Sequence, residues 1–471
     1  MKNKNNKINK VYFTIYFLLN VLLAFQIFKL ATLPNLYNFV IIFLMVVFLA
    51  ILYYSQFKTQ QRKLNKVGKI SLILLSIILI FANIYVYQAD NFLDNVSGSQ
   101  TKNEMVTLVV RKDSPYKTIE DLKFTTFAKE DSKEHIVVKS IEYFENKLNH
   151  KIELKEYTDY TILGKSLLDG EVEVIILNEA FRSIIEDNYQ NFSEETRVID
   201  EFNKETVIVK KKKEAKNVVK DPFTVMISGI DVFGSINNNA RSDVNILATI
   251  NPLTKEILLL NIPRDYYLPM GCETGALDKL THTGLYGVDC TMSTVGDAFD
   301  IDIDYYARVN FNSLIKVVDA LGGINVYADY GFQMDQYYFN AGDNYLNGEK
   351  ALVFVRDRNH QVDGDLGRGR NQMKVLTAII NKMTSPAIIT NFSGIINSLE
   401  GSFQTNMTSN EITSLVKMQL KDMISWDIEQ MQVTGTGASD YSYALEGNYY
   451  VMYPDEESVS IAKAAIKEMH K

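Results

Sequence analysis

Three long apolar runs fill most of the first ninety residues, and they constrain the fold of this chain more than any other feature. They cover about residues 11–31, 38–54 and 70–88, and each approaches the ~20 apolar residues that a helix needs to cross a bilayer. Buried core helices are the alternative, but three consecutive runs with almost no charge favour membrane spans. A cleaved signal peptide would not be followed by two further spans. Residues 1–90 are therefore predicted to form a membrane module of three transmembrane helices.

Basic residues around these runs predict their orientation. Four lysines precede the first run and five Lys or Arg residues lie between the second and the third, whereas the loop TLPNLYN between the first and second carries no charge. Because basic residues are enriched in cytoplasmic loops, the N-terminus and residues 55–69 are expected in the cytoplasm. An odd number of spans then places every residue after about 89 outside the cell membrane.

The charge of this exterior part limits the kind of partner. The whole chain has a net charge of −8, but residues 1–89 contain ten Lys or Arg and no acid, so the remaining 39 basic and 57 acidic residues carry −18. Proteins that bind nucleic acid normally present a basic surface. We therefore predict that the chain has no nucleic-acid partner.

The exterior part is predicted to contain two domains. Residues 100–213 alternate strand and helix signals, which predicts a small α/β accessory domain. The charged run 209–220 that follows is interpreted as a solvated hinge. Residues 220–471 mix strands and helices over some 250 positions, which favours an α/β/α layered domain with a central mixed sheet. The predicted fold class is α/β, with transmembrane helices, an accessory domain and a layered catalytic domain in that order.

Acidic and basic residues cluster at the ends of three predicted strands in the last domain. These strands cover residues 223–231, 242–250 and 256–262. The charged residues at their ends are Asp231, Arg241, Asp243, Arg264 and Asp265. Ligands of open α/β sheets bind at strand ends, so these side chains are predicted to face one site.

A second concentration of charge lies in FVRDRNHQVDGDLGRGRNQ, residues 354–372, which holds four arginines and three aspartates. If this segment is extended, Arg356 and Arg358 point to the same side. Arg368 and Gln372 are four residues apart at the start of a predicted helix and share a face. A helix N-terminus at this position also favours an anion.

Arginines in this number indicate a ligand with more than one negative charge, such as a pyrophosphate, because the guanidinium fork suits phosphate oxygens. Asp231 and Asp243 suit Mg²⁺, with Mn²⁺ as an alternative, since magnesium binds one or two carboxylates together with substrate phosphates. Surface ion pairs are the competing interpretation, and they explain a single pair such as Arg356 with Asp357. The whole set favours a functional site.

Six ordered motifs over about residues 220–400 resemble one known family. They are SGID, ARSDVNILATI, LLNIPRDYY, DKLTHTGLYGVDC, YYARVNFNSLIKVVDALGGINV and FVRDRNHQVDGDLGRGRNQMKVL. The chain resembles the LytR-CpsA-Psr family, and its three spans and accessory domain resemble the CpsA-like, capsule-associated branch. The resemblance implies a phosphotransferase that moves a glycopolymer, capsular or teichoic-acid-like, from a polyprenyl-pyrophosphate carrier to peptidoglycan.

The resemblance also implies roles for individual residues. Asp231 and Asp243 would hold the magnesium. The residues implied to bind the pyrophosphate are Arg241, Arg264, Arg356, Arg358, Arg368 and Gln372, with Asp365 orienting arginines. Arg356 and Arg358 are in addition predicted to be catalytic. Asp265 is a candidate general base, although a structural role is equally compatible with the sequence.

Further residues are predicted around this site. The carrier needs an apolar groove, and the residues predicted to line it are Val375, Leu376, Ile379 and Ile380; ordinary core packing is the alternative for each. Cys272 and Cys290 are both on the predicted outer side, which favours a disulfide over two free thiols. His282 and His360 are not predicted to be catalysts.

Two other functions remain open at the level of the sequence. One is a pyrophosphatase that acts on the same lipid with water as the acceptor. The other is a non-catalytic regulator or attenuator of cell-envelope synthesis, although residues 55–69 are too few to form a signalling domain. The predicted partners are the lipid-linked saccharide, peptidoglycan and the membrane, and the sequence does not name the glycopolymer.

Overall fold

The computed structural model describes residues 2–31, 33–96, 101–131, 135–207, 216–230, 235–385 and 403–471. Three long helices come first, and each is long and apolar enough to cross a membrane. They are α1 (Lys2–Leu30), α2 (Asn35–Tyr53) and α3 (Arg62–Val96). The predicted spans lie within these longer helices, apart from the last residue of each of the first two spans. Phe25, Phe39 and Phe81 are 66–69% exposed on their surfaces, as expected for side chains that face lipid.

The accessory part is a five-stranded mixed sheet with helices on both faces. Its strands are β1 (Thr101–Arg111), β2 (Thr126–Glu130), β3 (Glu153–Tyr157), β4 (Val174–Asn178) and β5 (Thr196–Val207). Its helices are α4 (His135–Leu148), α5 (Tyr160–Leu168), α6 (Arg182–Asn188) and α7 (Phe192–Glu195). The strand order is β3-β2-β4-β1-β5. Alternate residues of β1 take opposite sides: Leu108 packs with the α4 residue Phe144, whereas Val109 packs with Leu163 of α5.

The last part of the chain contains the remaining strands and helices. The strands are β6 (Phe223–Ile230), β7 (Ser242–Asn251), β8 (Glu256–Asn261), β9 (Tyr267–Pro269), β10 (Leu277–Lys279), β11 (Tyr305–Asn310), β12 (Ile324–Ala328), β13 (Phe332–Met334), β14 (Tyr337–Phe339), β15 (Gly342–Leu346), β16 (Phe403–Thr405), β17 (Asp427–Gln432), β18 (Gly435–Ser442) and β19 (Gly447–Pro454). The helices are α8 (Leu280–Thr283), α9 (Val288–Phe299), α10 (Phe311–Ala320), α11 (Gly348–Arg356), α12 (Asp365–Met383), α13 (Ser409–Asp422) and α14 (Glu456–Met469).

A six-stranded sheet, ordered β16-β11-β6-β7-β8-β17, lies at the centre of this part. β6, β7 and β8 are antiparallel to one another, whereas β11 runs parallel to β6 and β17 parallel to β8. Side chains of β7 alternate between two helical layers, because Leu247 packs with α9 and α14 and its neighbours Ile246 and Ala248 pack with α12. The predicted α/β class with an α/β/α layered domain and a central mixed sheet is confirmed.

Candidate active site

The sheet register brings the ends of three strands to one edge of the six-stranded sheet. Ile230 of β6 lies opposite Ser242 of β7, and Ile246 of β7 lies opposite Asn261 of β8. The end of β6, the start of β7 and the end of β8 therefore share one edge. The described residues that the sequence places there are Arg241, Asp243, Arg264 and Asp265.

Asp243 is held at this edge by two donors. Arg264 Nη1 donates to Asp243 Oδ1 at 2.7 Å, and Thr281 Oγ1 donates to the same oxygen at 3.2 Å. The lack of a side chain at Gly284 allows the segment that carries Thr281 to lie close to the backbone just before β7, because a Cβ on Gly284 would lie 2.4 Å from the carbonyl oxygen of Ala240. Thr281 was not predicted from the sequence, although its position in the motif KLTHTG was a usable signal.

Asp265 lies beside two cations. Its carboxylate is 3.9 Å from Arg264 Nε and 3.5 Å from Lys279 Nζ, and the residue is 6% exposed. In this arrangement Asp265 anchors both cations at the strand edge. Its role as general base stays a prediction.

The start of α12 brings the second group of charges to the same edge. Arg368 Nη2 lies 2.6 Å from Asp365 Oδ1, and Arg358 Nε lies 3.5 Å from the same oxygen. Gly369 explains the position of the helix, since a Cβ there would lie only 2.2 Å from Asn261 Nδ2. The first turn of α12 therefore packs directly against the end of β8.

The charges of these two groups act on one another. Burial raises the pKa of Asp243, but Arg241, Arg264 and Arg368 lower it, and the resulting pKa is about 2. Burial lowers the pKa of Arg264, yet Asp243 and other carboxylates raise it above its ordinary value. Burial lowers the pKa of Arg368, against the opposing effect of Asp365. We call Arg241, Asp243, Arg264, Asp365 and Arg368 the cationic site.

Three arginines of the cationic site have an unused donor. Within the described part of the chain, the Nε–H groups of Arg241, Arg264 and Arg368 are buried without a hydrogen-bond partner. Such groups are rare in folded proteins, because each uncompensated buried donor costs ~1–3 kcal/mol. Three of them in one cluster leave donors that an anionic ligand with several oxygens could accept from.

Arg241 is contacted by the accessory part of the chain. Its guanidinium pairs with Asp187 and donates to the carbonyl oxygen of Ser183, both on α6. Burial lowers the pKa of Arg241, but Asp243 and Asp187 raise it above its ordinary value. Asp187 and Ser183 were not predicted from the sequence, because no motif marks them.

The remaining predicted phosphate ligands lie near the end of α11. Arg356 is exposed, and its guanidinium carbon lies 4.6 Å from the ring centroid of Phe311. The extended segment considered for Arg356 and Arg358 is wrong, because α11 continues to Arg356 and only Arg358 lies beyond it. Gln372 Nε2 is 3.5 Å from the carbonyl oxygen of Val355. The binding and catalytic roles of these residues stay predictions.

The two histidines near the motifs have structural contacts. His282 is 1% exposed and lies 2.8 Å from Asp278 Oδ1, and burial lowers its pKa. His360 lies 2.8 Å from Asp357 Oδ1.

The structure joins Cys272 and Cys290 in a disulfide, with their Cα atoms 5.0 Å apart. This bond links the segment after β9 to α9.

An apolar cavity of about 720 Å³ lies where the membrane helices meet the six-stranded sheet. Its walls are formed by residues of the membrane helices α1, α2 and α3, together with residues of the six-stranded sheet, α12 and α13. They include Ile27, Leu30, Tyr37, Val40, Tyr85, Val86, Val225, Ile250, Ile257, Met383, Leu415 and Trp426. We call it the apolar chamber. Val225, Ile250 and Ile257 lie toward the strand ends opposite the cationic site, and an eight-residue strand such as β6 spans about 25 Å.

The four residues predicted to line a lipid groove divide between two sides of α12. Leu376 and Ile380 pack against the six-stranded sheet, between the cationic site and the apolar chamber. Val375 and Ile379 face a different core, which contains Phe354 of α11. The division follows from the helical period, since residues four apart share a side. Of the four, Leu376 and Ile380 are the ones that lie along the sheet face.

The predicted magnesium ligands are described only in part, because Asp231 lies outside the described residues. In the described part of the chain, both hydrogen bonds to Asp243 reach Oδ1, so Oδ2 is the oxygen that a cation would bind. The same described residues contain no group of three or more His, Cys, Asp or Glu that could hold a metal. This donor set is compatible with Mg²⁺, which usually takes one or two carboxylates together with substrate phosphates.

This chain is similar in sequence to known proteins. Residues 187–467 match the LytR_cpsA_psr family. TagU of Bacillus licheniformis, named a polyisoprenyl-teichoic acid–peptidoglycan teichoic acid transferase, is 34% identical over 249 residues, which are 53% of this chain and 78% of that protein. TagU of Bacillus subtilis, which has the same name, is 35% identical over 263 residues, or 55% of this chain and 81% of that protein.

A solved structure of B. subtilis TagU is 33% identical and covers 54% of this chain and 98% of that one, with a TM-score of 0.42. The family match covers more than half of this chain. The resemblance seen in its six motifs is thereby confirmed, and the chain belongs to the LytR-CpsA-Psr family.

Proposed function

We propose that this chain is a membrane-anchored phosphotransferase that moves a glycopolymer from a polyprenyl-pyrophosphate carrier to peptidoglycan. The names of its TagU relatives support this reaction class. The observation that carries the proposal is the group of three buried arginine Nε–H donors that lack acceptors among the described residues. A diphosphate has the charge and the number of oxygens to satisfy them.

The reaction transfers a phosphoryl-linked saccharide. A hydroxyl of peptidoglycan attacks the phosphorus that carries the saccharide, and the bond from this phosphorus to the bridging oxygen breaks. Polyprenyl monophosphate leaves with that oxygen, the hydroxyl loses its proton, and a phosphodiester joins saccharide and wall. We propose Asp265 as the acceptor of the proton, which keeps the sequence prediction for this residue.

Arginines of the cationic site stabilise the charge that develops in this reaction. Phosphoryl transfer spreads negative charge over the non-bridging oxygens, and donors held in place before the reaction stabilise it without reorganisation. Arg264 and Arg368 are each fixed by a carboxylate, at 2.7 and 2.6 Å. Arg356 and Arg358 lie on the exposed side, where they are proposed to contact the saccharide-bearing phosphate.

We also propose that Asp243, with Asp231, holds a Mg²⁺ ion. When bound, the ion supplies additional positive charge to the diphosphate. The support is the chemistry of the donor set, namely a mostly buried carboxylate whose Oδ2 accepts no hydrogen bond from the described residues.

The lipid tail is proposed to run along the sheet beneath α12. Leu376 and Ile380 lie on this path, and the apolar chamber lies at its far end beside the membrane helices. An isoprenoid chain would therefore connect the cationic site to the bilayer through apolar surroundings, which favours its binding in proportion to the buried area.

The proposed location is the cell membrane, with the N-terminus in the cytoplasm and residues after about 89 outside. The basic residues around the spans support this orientation. The proposed glycopolymer is capsular or teichoic-acid-like: the resemblance of the sequence to the capsule-associated branch supports the first, and the names of the relatives support the second.

A transfer assay tests the proposal. The full-length chain in detergent is supplied with a radiolabelled polyprenyl-pyrophosphate saccharide, Mg²⁺ and peptidoglycan oligomers, and label is expected on the peptidoglycan fragment. Chelation of the metal should abolish transfer, and Arg264→Lys, which keeps the charge but removes the planar fork, should slow it strongly. Label found only as free saccharide phosphate would identify a pyrophosphatase, and binding without turnover would identify a regulator.

A further inference from the structure

Arg241 is the arginine of the cationic site whose paired carboxylate comes from the accessory part of the chain. Its Nη1 pairs with Asp187, and its Nη2 donates to Asp187 Oδ1 at 3.1 Å and to the carbonyl oxygen of Ser183 at 3.3 Å. The Arg241 side chain is 11% exposed, whereas that of Asp187 is 57% exposed. The pair therefore lies at the edge of the interface, with the arginine on its buried side.

The same arrangement occurs twice within the last part of the chain, from β6 onward, which we call the catalytic part. Arg264 places a terminal nitrogen on Asp243, and Arg368 places one on Asp365. In all three arginines the Nε–H is buried and makes no hydrogen bond in the part of the chain that the structure describes, although Arg264 Nε lies 3.9 Å from Asp265 Oδ2. A carboxylate that takes the terminal nitrogens fixes the plane of the guanidinium and leaves the Nε–H edge for a ligand.

The packing of α6 sets the position of Asp187. Ile184 and Ile185 on the same helix are 5% and 0% exposed, and they belong to an apolar cluster that also contains Leu285 of the catalytic part. Asn239 Nδ2 donates to the carbonyl oxygen of Leu285 at 3.0 Å. Because a shared core joins the two parts beside the pair, Asp187 is held against Arg241 by close-packed side chains.

We propose that Asp187 is a positioning residue of the transferase, which orients Arg241 toward the diphosphate, so that the accessory domain completes the active site. The proposal deepens the proposed function and rests on its assignment of a diphosphate to the cationic site. Without Asp187, the long side chain of Arg241 must be ordered when the ligand binds. The entropy of ordering one such side chain weakens binding by up to about tenfold.

Competition between Asp187 and phosphate is the alternative role, and it predicts the opposite change in Kd. If the carboxylate instead competed with phosphate for Arg241, its removal would tighten binding. The contacts of Arg241 favour positioning over competition. Asp187 binds the two terminal nitrogens of the guanidinium, whereas the Nε–H group stays available to the ligand.

Binding of geranylgeranyl pyrophosphate to the full-length chain in detergent tests the proposal. Asp187→Asn should raise Kd by about three- to tenfold, and Asp187→Glu, which restores a carboxylate, should recover part of the affinity. Asp169→Asn is the matched control, since Asp169 is another half-exposed accessory aspartate, 3.1 Å from Lys165. The control should leave Kd within about twofold of the wild type, as expected for an exposed ion pair.

A double-mutant cycle separates positioning from a loss of folding. In an Arg241→Ala background, Asp187→Asn should have no further effect on Kd, because the residue acts through Arg241. An unchanged or lower Kd for Asp187→Asn in the otherwise wild-type chain overturns the positioning role. If the wild-type protein does not bind the pyrophosphate, both the positioning role of Asp187 and the proposed function are wrong. If it binds but hydrolyses the substrate in place of transferring the saccharide, only the proposed function is wrong.

Discussion

Replacing Asp243 by Asn should remove a pH-dependent part of the stability of the catalytic domain. The Asp243 side chain is 12% exposed and accepts hydrogen bonds from Arg264 and Thr281. Burial alone would raise its pKa, but the neighbouring arginines lower it from the ordinary 3.8 to about 2. The folded state therefore favours the charged carboxylate, which the amide of the variant cannot replace.

The size and sign of the effect follow from this pKa. The lowering of this pKa from 3.8 to about 2 corresponds to roughly 2.5 kcal/mol of stability, at about 1.36 kcal/mol per pKa unit. Because the pKa is lower in the folded state, the carboxylate stabilises the fold above about pH 4, and this contribution is lost as the pH falls from about 4 to about 2. In Asp243→Asn the contribution is absent at every pH.

Urea unfolding of the full-length chain in detergent, followed by tryptophan fluorescence, measures this difference. Trp426 is the only tryptophan and packs against the six-stranded sheet, so its emission reports on the catalytic domain. The free energy of unfolding of Asp243→Asn should lie about 2.5 kcal/mol below that of the wild type at pH 7. The difference in the free energy of unfolding between the variant and the wild type should decrease between pH 4 and pH 3.

An exposed ion pair supplies the control for this experiment. Asp363 pairs with Arg370 at 2.7 Å, and the two side chains are 38% and 40% exposed. Asp363→Asn should therefore lower the free energy of unfolding by less than ~1 kcal/mol. A gap for Asp243→Asn that stays constant from pH 7 to pH 3, or that widens on acidification, would refute the electrostatic reasoning.

Three further predictions concern activity, the disulfide and the lipid path. Arg368→Ala should lower kcat/KM for transfer by about 100-fold or more, whereas the exposed Arg370→Ala should change it little; equal losses would contradict the assignment. Replacing Cys272 and Cys290 by Ser should lower the free energy of unfolding by ~3 kcal/mol, and a reducing agent should then affect only the wild type. Leu415→Lys in the apolar chamber should slow transfer from long polyprenyl carriers more than from short analogues, and an equal effect on both would exclude the lipid path.

The distance between the cationic site and the membrane explains why such a path is required. The strand ends beside the membrane helices line the apolar chamber, whereas the cationic site lies at the opposite edge of the same sheet. A diphosphate bound there is about one strand length, some 25 Å, from the chamber. A lipid tail that crossed this distance in water would expose apolar surface, and the sheet face beneath α12 offers the apolar alternative.

Several features were predictable from the sequence because their physical causes are local. A membrane span needs about 20 apolar residues in a row, so all three spans could be found from the sequence, and the predicted C-terminal ends of the first two lie within one residue of the ends of α1 and α2. Strands of the six-stranded sheet show apolar runs bounded by turns, and charged residues directly beyond them marked the site edge. The ordered motifs placed the chain in its family.

Other features were decided by the tertiary structure, because they depend on contacts between residues far apart in sequence. No local pattern distinguishes Leu376, which faces the six-stranded sheet, from Val375, which faces another core. The walls of the apolar chamber come from segments several hundred residues apart. The pairing of Asp187 with Arg241 joins the accessory and last parts of the chain across 54 positions. Such contacts form when helices and sheets pack against one another, and a single sequence does not show which of its distant residues will be in contact.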